Sequence, residues 1–314
     1  MDLSAFENRL RKNQRHWSKW ARRRGIGCYR CYDRDIPEFP LAIDWYESEV
    51  HAQVYARKGQ DPLDEAAEAE IGETITRVLE IPDSALAFKT RQRQRGLAQY
   101  EKTGARGRPR IVHEGGLQFE VDLHSYLDTG LFLDHRETRQ WVRERARGRR
   151  MLNLFAYTGS FSVYAAAGGA LSTTSVDLSN TYQSWTHRNL TLNGFDGDEH
   201  ALVRADVFEY LERAVRERRQ FGLIVLDPPS FSNSKKMLEI LDVQRDHPRL
   251  IEACLKLLTP TGILVFSTNR RRFKLDPQIE SLPGVEEITR ITLPEDFKRH
   301  PAHRCWSLRP AEST

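Results

Sequence analysis

The segment FGLIVLDPPSFSNSKK, residues 221–236, places an acid where it has little freedom to move. An apolar run of the length of a buried strand ends in Asp227, and Pro228 and Pro229 follow at once. Proline has no backbone N–H to give to a neighbouring strand and fixes its own φ, so the sheet must stop there and the chain must leave it extended. The Asp227 carboxylate is therefore expected to be a rigidly held acceptor at a strand end. Phe231 follows, and its aromatic face can stack on a planar ligand. Asn233, two positions on, adds an amide that can hydrogen-bond to the same ligand. Asp227, Phe231 and Asn233 are the candidate catalytic residues.

Related positions occur upstream. In LNLFAYTGSFS (152–162), Asn153 and Phe155 lie near the end of a strand candidate, and Tyr157, Thr158 and Gly159 form the turn after it. Asp177, with Leu178 beside it, ends STTSVDL (172–178) and comes 18 positions after Gly159. A carboxylate about 20 residues beyond such a turn is placed to accept hydrogen bonds from both hydroxyls of a ribose. Asp206 ends HALVRAD (200–206) and can take the exocyclic amine of adenine, with Val207 and Phe208 packing the ring. Singly, each acid has an ordinary use as a helix cap or loop charge. In series they describe one cleft, because ligands of open α/β sheets bind outside the carboxyl ends of the strands.

The elements that must hold these residues follow from periodicity. From residue 151, strand candidates at 151–156, 172–178, 200–206, 221–227 and 262–268 alternate with helical stretches near 160–168, 180–193, 207–219 and 241–258. That alternation predicts a parallel, doubly wound sheet. Residues 285–293 and 303–310 then read as two strands joined by a short loop. A parallel sheet closed by a terminal antiparallel hairpin resembles the Rossmann-like α/β fold of class I S-adenosylmethionine methyltransferases, whereas a dinucleotide oxidoreductase would continue with βα units. The single glycine of the 157–159 turn agrees, since the dinucleotide fingerprint has three. Adenosylmethionine has no pyrophosphate, so the backbone need not approach it as closely. S-adenosyl-L-methionine is the expected cofactor.

The chain ahead of this sheet divides into a basic N-terminal helix (1–25) and a small α+β domain (26–125), a candidate RNA-binding element, before the methyltransferase domain (126–314). Phe6, Leu10, Trp17 and Trp20 fall at helical spacing and Gly25 ends the helix. Residues 26–57 read as extended, 62–80 as helical, and 84–90 and 117–123 as strands. The formal net charge of +4 hides two strongly basic segments, 8–24 and 89–110, separated by an acidic one, 61–73. Such a distribution suits nucleic acid, and Arg11, Lys12, Arg15, Arg91, Arg93 and Arg95 are the expected RNA-binding residues. Cys28 and Cys31 have CxxC spacing but no second pair, so they read as neighbours on a strand and no metal site is expected. No apolar stretch approaches the roughly 20 residues of a membrane span, and the N-terminus lacks the apolar core of a signal peptide. A cytoplasmic protein that engages no membrane is expected; the oligomeric state is not legible.

The segments TGLFLDHR, LNLFAYTGS, VDLSNTY, RNLTLNG, LDPPSFSNSK and LDVQRDH, in this order and spacing, resemble the C-terminal half of the bifunctional large-subunit ribosomal RNA methyltransferase of bacteria. The resemblance covers nearly the whole chain, including the basic opening and KTRQRQRG. It implies methylation of a guanine of 23S ribosomal RNA at N7, on naked or partly assembled RNA. Asp227-Pro228-Pro229 is similar to the [D/N]PP motif of methyltransferases acting on base nitrogens, which adds Asp227 and Pro228 to the cofactor's neighbours. In the wider family with the LDxR signature, GLFLDHR lies against the cofactor, which implies that Phe132, Asp134 and Arg136 help to bind it. The family member usually carries an upstream RNA-binding module and a second methyltransferase that makes N2-methylguanine. Neither lies within these 314 residues, which are either a free-standing version or an excised half of such a protein; a separate N2-guanine half is a candidate partner.

The chemistry narrows the reaction. Methylation at cytosine C5 needs a cysteine nucleophile, and the loop where relatives carry it reads FSTNRRRF (266–273) here. Guanine N7 has a free lone pair and no proton to lose, so alignment is most of the catalysis. The readings left open are methylation of an exocyclic amine (guanine N2 or adenine N6), a nicotinamide oxidoreductase, and a non-catalytic RNA-binding module.

Overall fold

The computed structural model describes residues 2–55, 65–126 excluding 92–106, 128–232 and 240–310. The chain forms two compact units. The first takes in residues up to Gly116, Glu120–Leu133 and Glu295–His300; the second takes in Leu117–Phe119, Asp134–Pro294 and Pro301 onward.

The first unit opens with helix α1 (Ser4–Arg24). Gly25 ends it in the left-handed conformation, φ 65°, and its N–H returns to the Ala21 carbonyl, the usual way of closing a helix with glycine. Strands β1 (Cys28–Asp33), β2 (Leu41–Tyr46) and β3 (Glu49–Tyr55), helix α2 (Glu65–Leu79) and strand β4 (Leu86–Arg91) follow. The four strands form one sheet in sequence order, antiparallel except for the β3–β4 pair. Phe6, Leu10 and Trp20 of α1 and Ile71, Ile75 and Leu79 of α2 pack with Leu41, Ile43, Val50 and Val54 in a single core. Trp20 also donates from Nε1 to Glu295 at 3.0 Å. Strand β5 (Arg110–Glu114) follows in this unit, and of β6 (Leu117–Val121) the first three residues belong to the second.

The second unit carries helix α3 (Arg136–Arg145), β7 (Arg150–Leu154), α4 (Ser160–Ala167), β8 (Ser172–Asp177), α5 (Asn180–Leu192), β9 (His200–Arg204), α6 (Val207–Arg216) and β10 (Phe221–Leu226). After them come the short pair β11 (Phe231–Ser232) and β12 (Leu241–Asp242), α7 (Val243–Lys256), β13 (Leu258–Thr268), α8 (Pro277–Glu280), β14 (Val285–Glu287), α9 (Thr289–Thr292) and β15 (Arg304–Leu308). Seven strands make one sheet in the order β14-β15-β13-β10-β7-β8-β9. β15 runs antiparallel to both neighbours, and the pairs from β13 to β9 are parallel.

The unbroken apolar runs of β10 and β13 are explained by cover on both faces. Leu152, Leu154, Ile224, Leu226, Leu264 and Phe266 pack into the core that includes α6 and α7. Met151, Leu223, Val225, Ile263 and Val265 pack into the opposite core with Trp141, Val142 and Phe161 of α3 and α4.

The terminal strand pair differs from the sequence reading in its connection. Residues 289–292, expected within the first of the two strands, form a turn of helix, and 288–303 join β14 to β15. Ile288 and Thr292, four apart, are buried while Ile291 is exposed, a helical rather than an alternating pattern. The Thr292 hydroxyl donates back to the Ile288 carbonyl at 3.0 Å.

Candidate active site

The strand order reverses direction of growth between β10 and β7, and this is where open α/β sheets bind ligands. The loop after β7 is tightly wound: Phe155, Tyr157 and Gly159 all have positive φ, 56°, 52° and 74°. Such angles are costly for residues with a side chain, and the surroundings hold them in place. Tyr157 N–H donates to Asp177 Oδ2 at 3.0 Å, and the Tyr157 carbonyl accepts from Thr186 Oγ1 at 3.0 Å. Asn189 Nδ2 donates to the Thr158 carbonyl at 2.8 Å. A Cβ at Gly159 would stand 2.3 Å from Thr186 Cγ2, so glycine is required there by contact as well as by φ. Thr186 and Asn189 of α5 were not expected from the sequence. With Gln183, whose Nε2 donates to the carbonyls of Ser175, Asp177 and Val203, they form a buried polar row at three-residue spacing. That spacing on a helix is the signal that could have found them.

Asp177 stands at the end of β8 with Oδ2 on Tyr157 N–H and Oδ1 on Ser179 N–H at 2.9 Å. Burial raises its pKa to about 6, against the lowering effect of those backbone donors. Leu178 N–H also bonds to this carboxylate, and of its four lone pairs one is left by these backbone donors for a hydroxyl of a ribose. Leu178 follows it and its carbonyl accepts from Arg204 Nε at 3.3 Å. Asp206 caps α6 through Oδ1, accepting from Phe208 N–H at 2.8 Å and Glu209 N–H at 3.4 Å. Both bonds of the cap fall on this one oxygen, so capping leaves Oδ2 for an amine donor. Val207 is buried in the core under this loop, and Phe208 packs against the same core beneath the Arg249 guanidinium, 4.6 Å from its ring centre. Phe155 packs there too. Asn153 is turned to α4, where its Nδ2 donates to Ser162 Oγ at 3.0 Å.

The fourth strand end gathers more than the sequence suggested. Asp227 follows β10; its Oδ1 accepts from Ser267 Oγ at 2.6 Å, and its Oδ2 lies 3.5 Å from His135 Nε2. Asp134 Oδ2 accepts from His303 Nδ1 at 2.9 Å and lies 3.8 Å from His135 Nε2. The two imidazoles are stacked, with ring centres 4.1 Å apart and planes within 14°. Asp134, His135 and His303 thus offer a carboxylate and two imidazoles within 4.8 Å. The rings' lone pairs lie in nearly parallel planes, however, and do not converge on one ion as a tetrahedral or octahedral centre requires. His135 and Ser267 were missed at the sequence level although His135 sits inside LDHR; nothing local marks His303.

Beyond Pro228 and Pro229, Ser230 Oγ donates to Asn269 Oδ1 at 2.6 Å, linking this loop to the one after β13. Phe231 is 53% exposed and its ring is open to a partner. Asp242, the residue facing it across the β11–β12 pair, accepts from Arg270 Nη1 at 2.7 Å. Arg136 is buried in the first turn of α3. Phe132 belongs to the first unit and is 41% exposed. Asn233, Arg93 and Arg95 lie outside the described residues, and Arg91 is the last residue of β4. In the first unit, Arg11, Lys12 and Arg15 line a shallow depression of about 450 Å³ on α1 with Asn8 and His16. Arg11 also donates to Glu7 at 2.8 Å, as does Arg77.

All four cysteines are buried and free. Burial pushes the thiols of Cys254 and Cys305 well up, away from the thiolate a nucleophile needs. Among the described residues no helix is long and apolar enough to cross a membrane.

Residues 81–302 match the family described as S-adenosylmethionine-dependent methyltransferase. Ribosomal RNA large subunit methyltransferase K of Neisseria meningitidis serogroup B is 53% identical over 310 residues, which are 98% of this chain and 88% of that protein. Ribosomal RNA large subunit methyltransferase K/L of Methylococcus capsulatus is 51% identical over 96% of this chain, which spans only 42% of that longer protein. Among solved structures, the methyltransferase SMU.776 complexed with SAH superposes with a TM-score of 0.77 at 25% identity, over 98% of this chain and 81% of that one.

Proposed function

Because the chain belongs to the S-adenosylmethionine-dependent methyltransferase family, and within it to the group of ribosomal RNA large subunit methyltransferase K, we propose that it methylates a guanine of 23S ribosomal RNA at N7. S-adenosylmethionine is the methyl donor, and its sulfonium supplies a methyl group to the N7 lone pair by in-line displacement, leaving the thioether. The observation that carries the reading is Asp227: a carboxylate at the end of β10, followed by two prolines and held by Ser267, with an exposed aromatic residue, Phe231, four positions on.

In this reading the loop Phe155–Gly159 and Asp177 with Leu178 hold the ribose end of the cofactor, and Asp206 with Val207 and Phe208 holds its adenine. Asp134, Arg136 and Pro228 complete the cofactor's surroundings, with Asn153 bracing the strand beneath. Phe231 and Asn233 hold the guanine. N7 loses no proton on methylation, so the site has to align and to stabilise rather than to act as a base. As positive charge passes to the purine, the fixed charge of Asp227 becomes more favourable, which is stabilisation specific to the transition state.

The N7 edge lies in the deep groove of A-form RNA, out of reach of side chains. The guanine is therefore unpaired or flipped out, on naked or partly assembled RNA, and the work is cytoplasmic. Arg11, Lys12, Arg15, Arg91, Arg93 and Arg95 grip phosphates. Incubation with methyl-labelled S-adenosylmethionine and unmodified 23S ribosomal RNA, followed by nucleoside mass spectrometry, tests the proposal. Label in 7-methylguanosine is the expected result; label in N2-methylguanosine or N6-methyladenosine refutes the N7 assignment.

A further inference from the structure

The buried group around Asp134 goes beyond a cofactor contact. Asp134 and His303 are 169 positions apart, yet His303 Nδ1 donates to Asp134 Oδ2 at 2.9 Å with the His303 side chain fully buried. His303 stacks flat against His135, and Phe161 closes the other side of His135 edge-on at 5.6 Å. His135 Nδ1 faces the Thr138 hydroxyl at 3.2 Å, while Nε2 faces two carboxylates, Asp227 Oδ2 at 3.5 Å and Asp134 Oδ2 at 3.8 Å.

This arrangement fixes the tautomer. A lone pair on Nε2 would point at two carboxylates, so the proton belongs on Nε2; the Thr138 hydroxyl, 3.2 Å from Nδ1 and 3.4 Å from the Thr292 carbonyl, then gives its one proton to the nearer acceptor, Nδ1. Burial and the neighbouring His303 lower the His135 pKa, which keeps the ring neutral. A neutral donor can hold a carboxylate in place without cancelling its charge.

We propose that His135 and His303 are positioning residues for methyl transfer: the Asp134–His303 pair clamps the His135 ring so that its Nε2–H faces Asp227 Oδ2. Ser267 holds the other oxygen of the same carboxylate. The 3.5 Å separation is long for a hydrogen bond, as catalytic contacts often are before substrate binds. The inference rests on the reading of Asp227 given above. Its failure and the failure of that reading are separable, because His135 acts only through Asp227.

The test compares single-turnover methyl transfer to unmodified 23S ribosomal RNA by the wild type, His135→Phe, His135→Gln, Asp227→Asn and the double variant His135→Phe/Asp227→Asn. SAH affinity measured by calorimetry reports an intact cofactor site. His135→Phe is expected to lower the transfer rate about tenfold with SAH affinity within about twofold, and His135→Gln, which keeps a donor, to recover part of the rate. In the Asp227→Asn background, His135→Phe is expected to have no further effect. Additive losses would overturn the inference while leaving Asp227 in its role. A wild-type rate for Asp227→Asn would overturn both. If His135→Phe loses SAH binding, His303→Gln replaces it in the same cycle, and additivity there again rejects the clamp.

Discussion

The cofactor-binding role proposed for Asp177 can be tested through its ionisation. Its pKa stands at about 6, raised from an ordinary 3.8 by burial. Holding the charge in the ligand-free protein therefore costs about 3 kcal/mol, since a tenfold change in an acid's ionisation constant corresponds to about 1.4 kcal/mol. A ribose hydroxyl donates to the ionised form, so the group must shed its proton when the cofactor binds at low pH. SAH affinity is expected to be constant above about pH 7 and to weaken about tenfold for each pH unit below about pH 6. Asp177→Asn removes the titration and a charge-assisted bond of about 1.5 kcal/mol, so its affinity is expected to be roughly tenfold weaker at pH 8 and flat with pH. Calorimetric titration with SAH at several pH values measures both quantities. Equal affinities for the wild type at pH 5 and pH 8, or the same slope in the variant, would refute the assignment.

The raised pKa also fixes the sign of a stability effect. With the folded pKa above the unfolded one, the native state binds more protons across the window between about 4 and about 6, so this group makes stability fall as pH rises through that window. The fall levels off above it. Asp177→Asn is therefore expected to lose less stability than the wild type between about pH 4 and pH 6 in ligand-free protein, as thermal melts at a series of pH values would measure.

Three further outcomes follow from the site's construction. Gly159→Ala puts a methyl 2.3 Å from Thr186 Cγ2 at a positive φ and is expected to cost about 3 kcal/mol, read as a lower Tm, with Thr186→Ser restoring part of it. Phe231→Ala should leave Tm unchanged, because the ring is half exposed, while transfer to RNA falls about tenfold through weaker stacking; an unchanged rate removes Phe231 from the site. Replacing Arg11, Lys12 and Arg15 by Gln should reduce the salt dependence of RNA binding by about 0.7–0.9 in slope for each phosphate no longer neutralised, with SAH affinity untouched; an unaltered slope would show that α1 does not touch the RNA.

Much of the catalytic unit was legible because its central strands are buried on both faces and so appear as uninterrupted apolar runs, and because an acid at the end of such a run is conspicuous. Asp177, Asp206 and Asp227 stand out in that way. Asp206 illustrates the limit: the structure makes it a helix cap through one oxygen, and only the other is left by that cap for a ligand. Residues that act across the sheet leave no such mark. Ser267 reads as the tail of a strand, and His303 gains its meaning only when β15 folds back between β13 and β14. The 289–292 turn reads as strand because β-branched threonine and isoleucine favour strands, while the tertiary environment chose Ile288 and Thr292, one helical turn apart, as the inward pair.

The partners of Asp227 bear on the choice between N7 and an exocyclic amine. An amine must shed a proton as it is methylated, and an acceptor serving it has to aim a lone pair along the N–H bond. At N7 no proton leaves, and the requirement is a negative charge at a fixed distance from the ring. Asp227 is held by Ser267 on one oxygen at 2.6 Å and stands between a buried strand and two prolines, with His135 3.5 Å from its other oxygen. Its aim is therefore set before any base arrives. A unit charge about 4 Å away at an effective dielectric near 20 is worth about 4 kcal/mol, so about two-thirds of a unit charge arriving at that distance from a carboxylate would correspond to about 10²-fold in rate. A carboxylate held this firmly suits the reaction whose transition state differs from its ground state in charge rather than in the position of a proton.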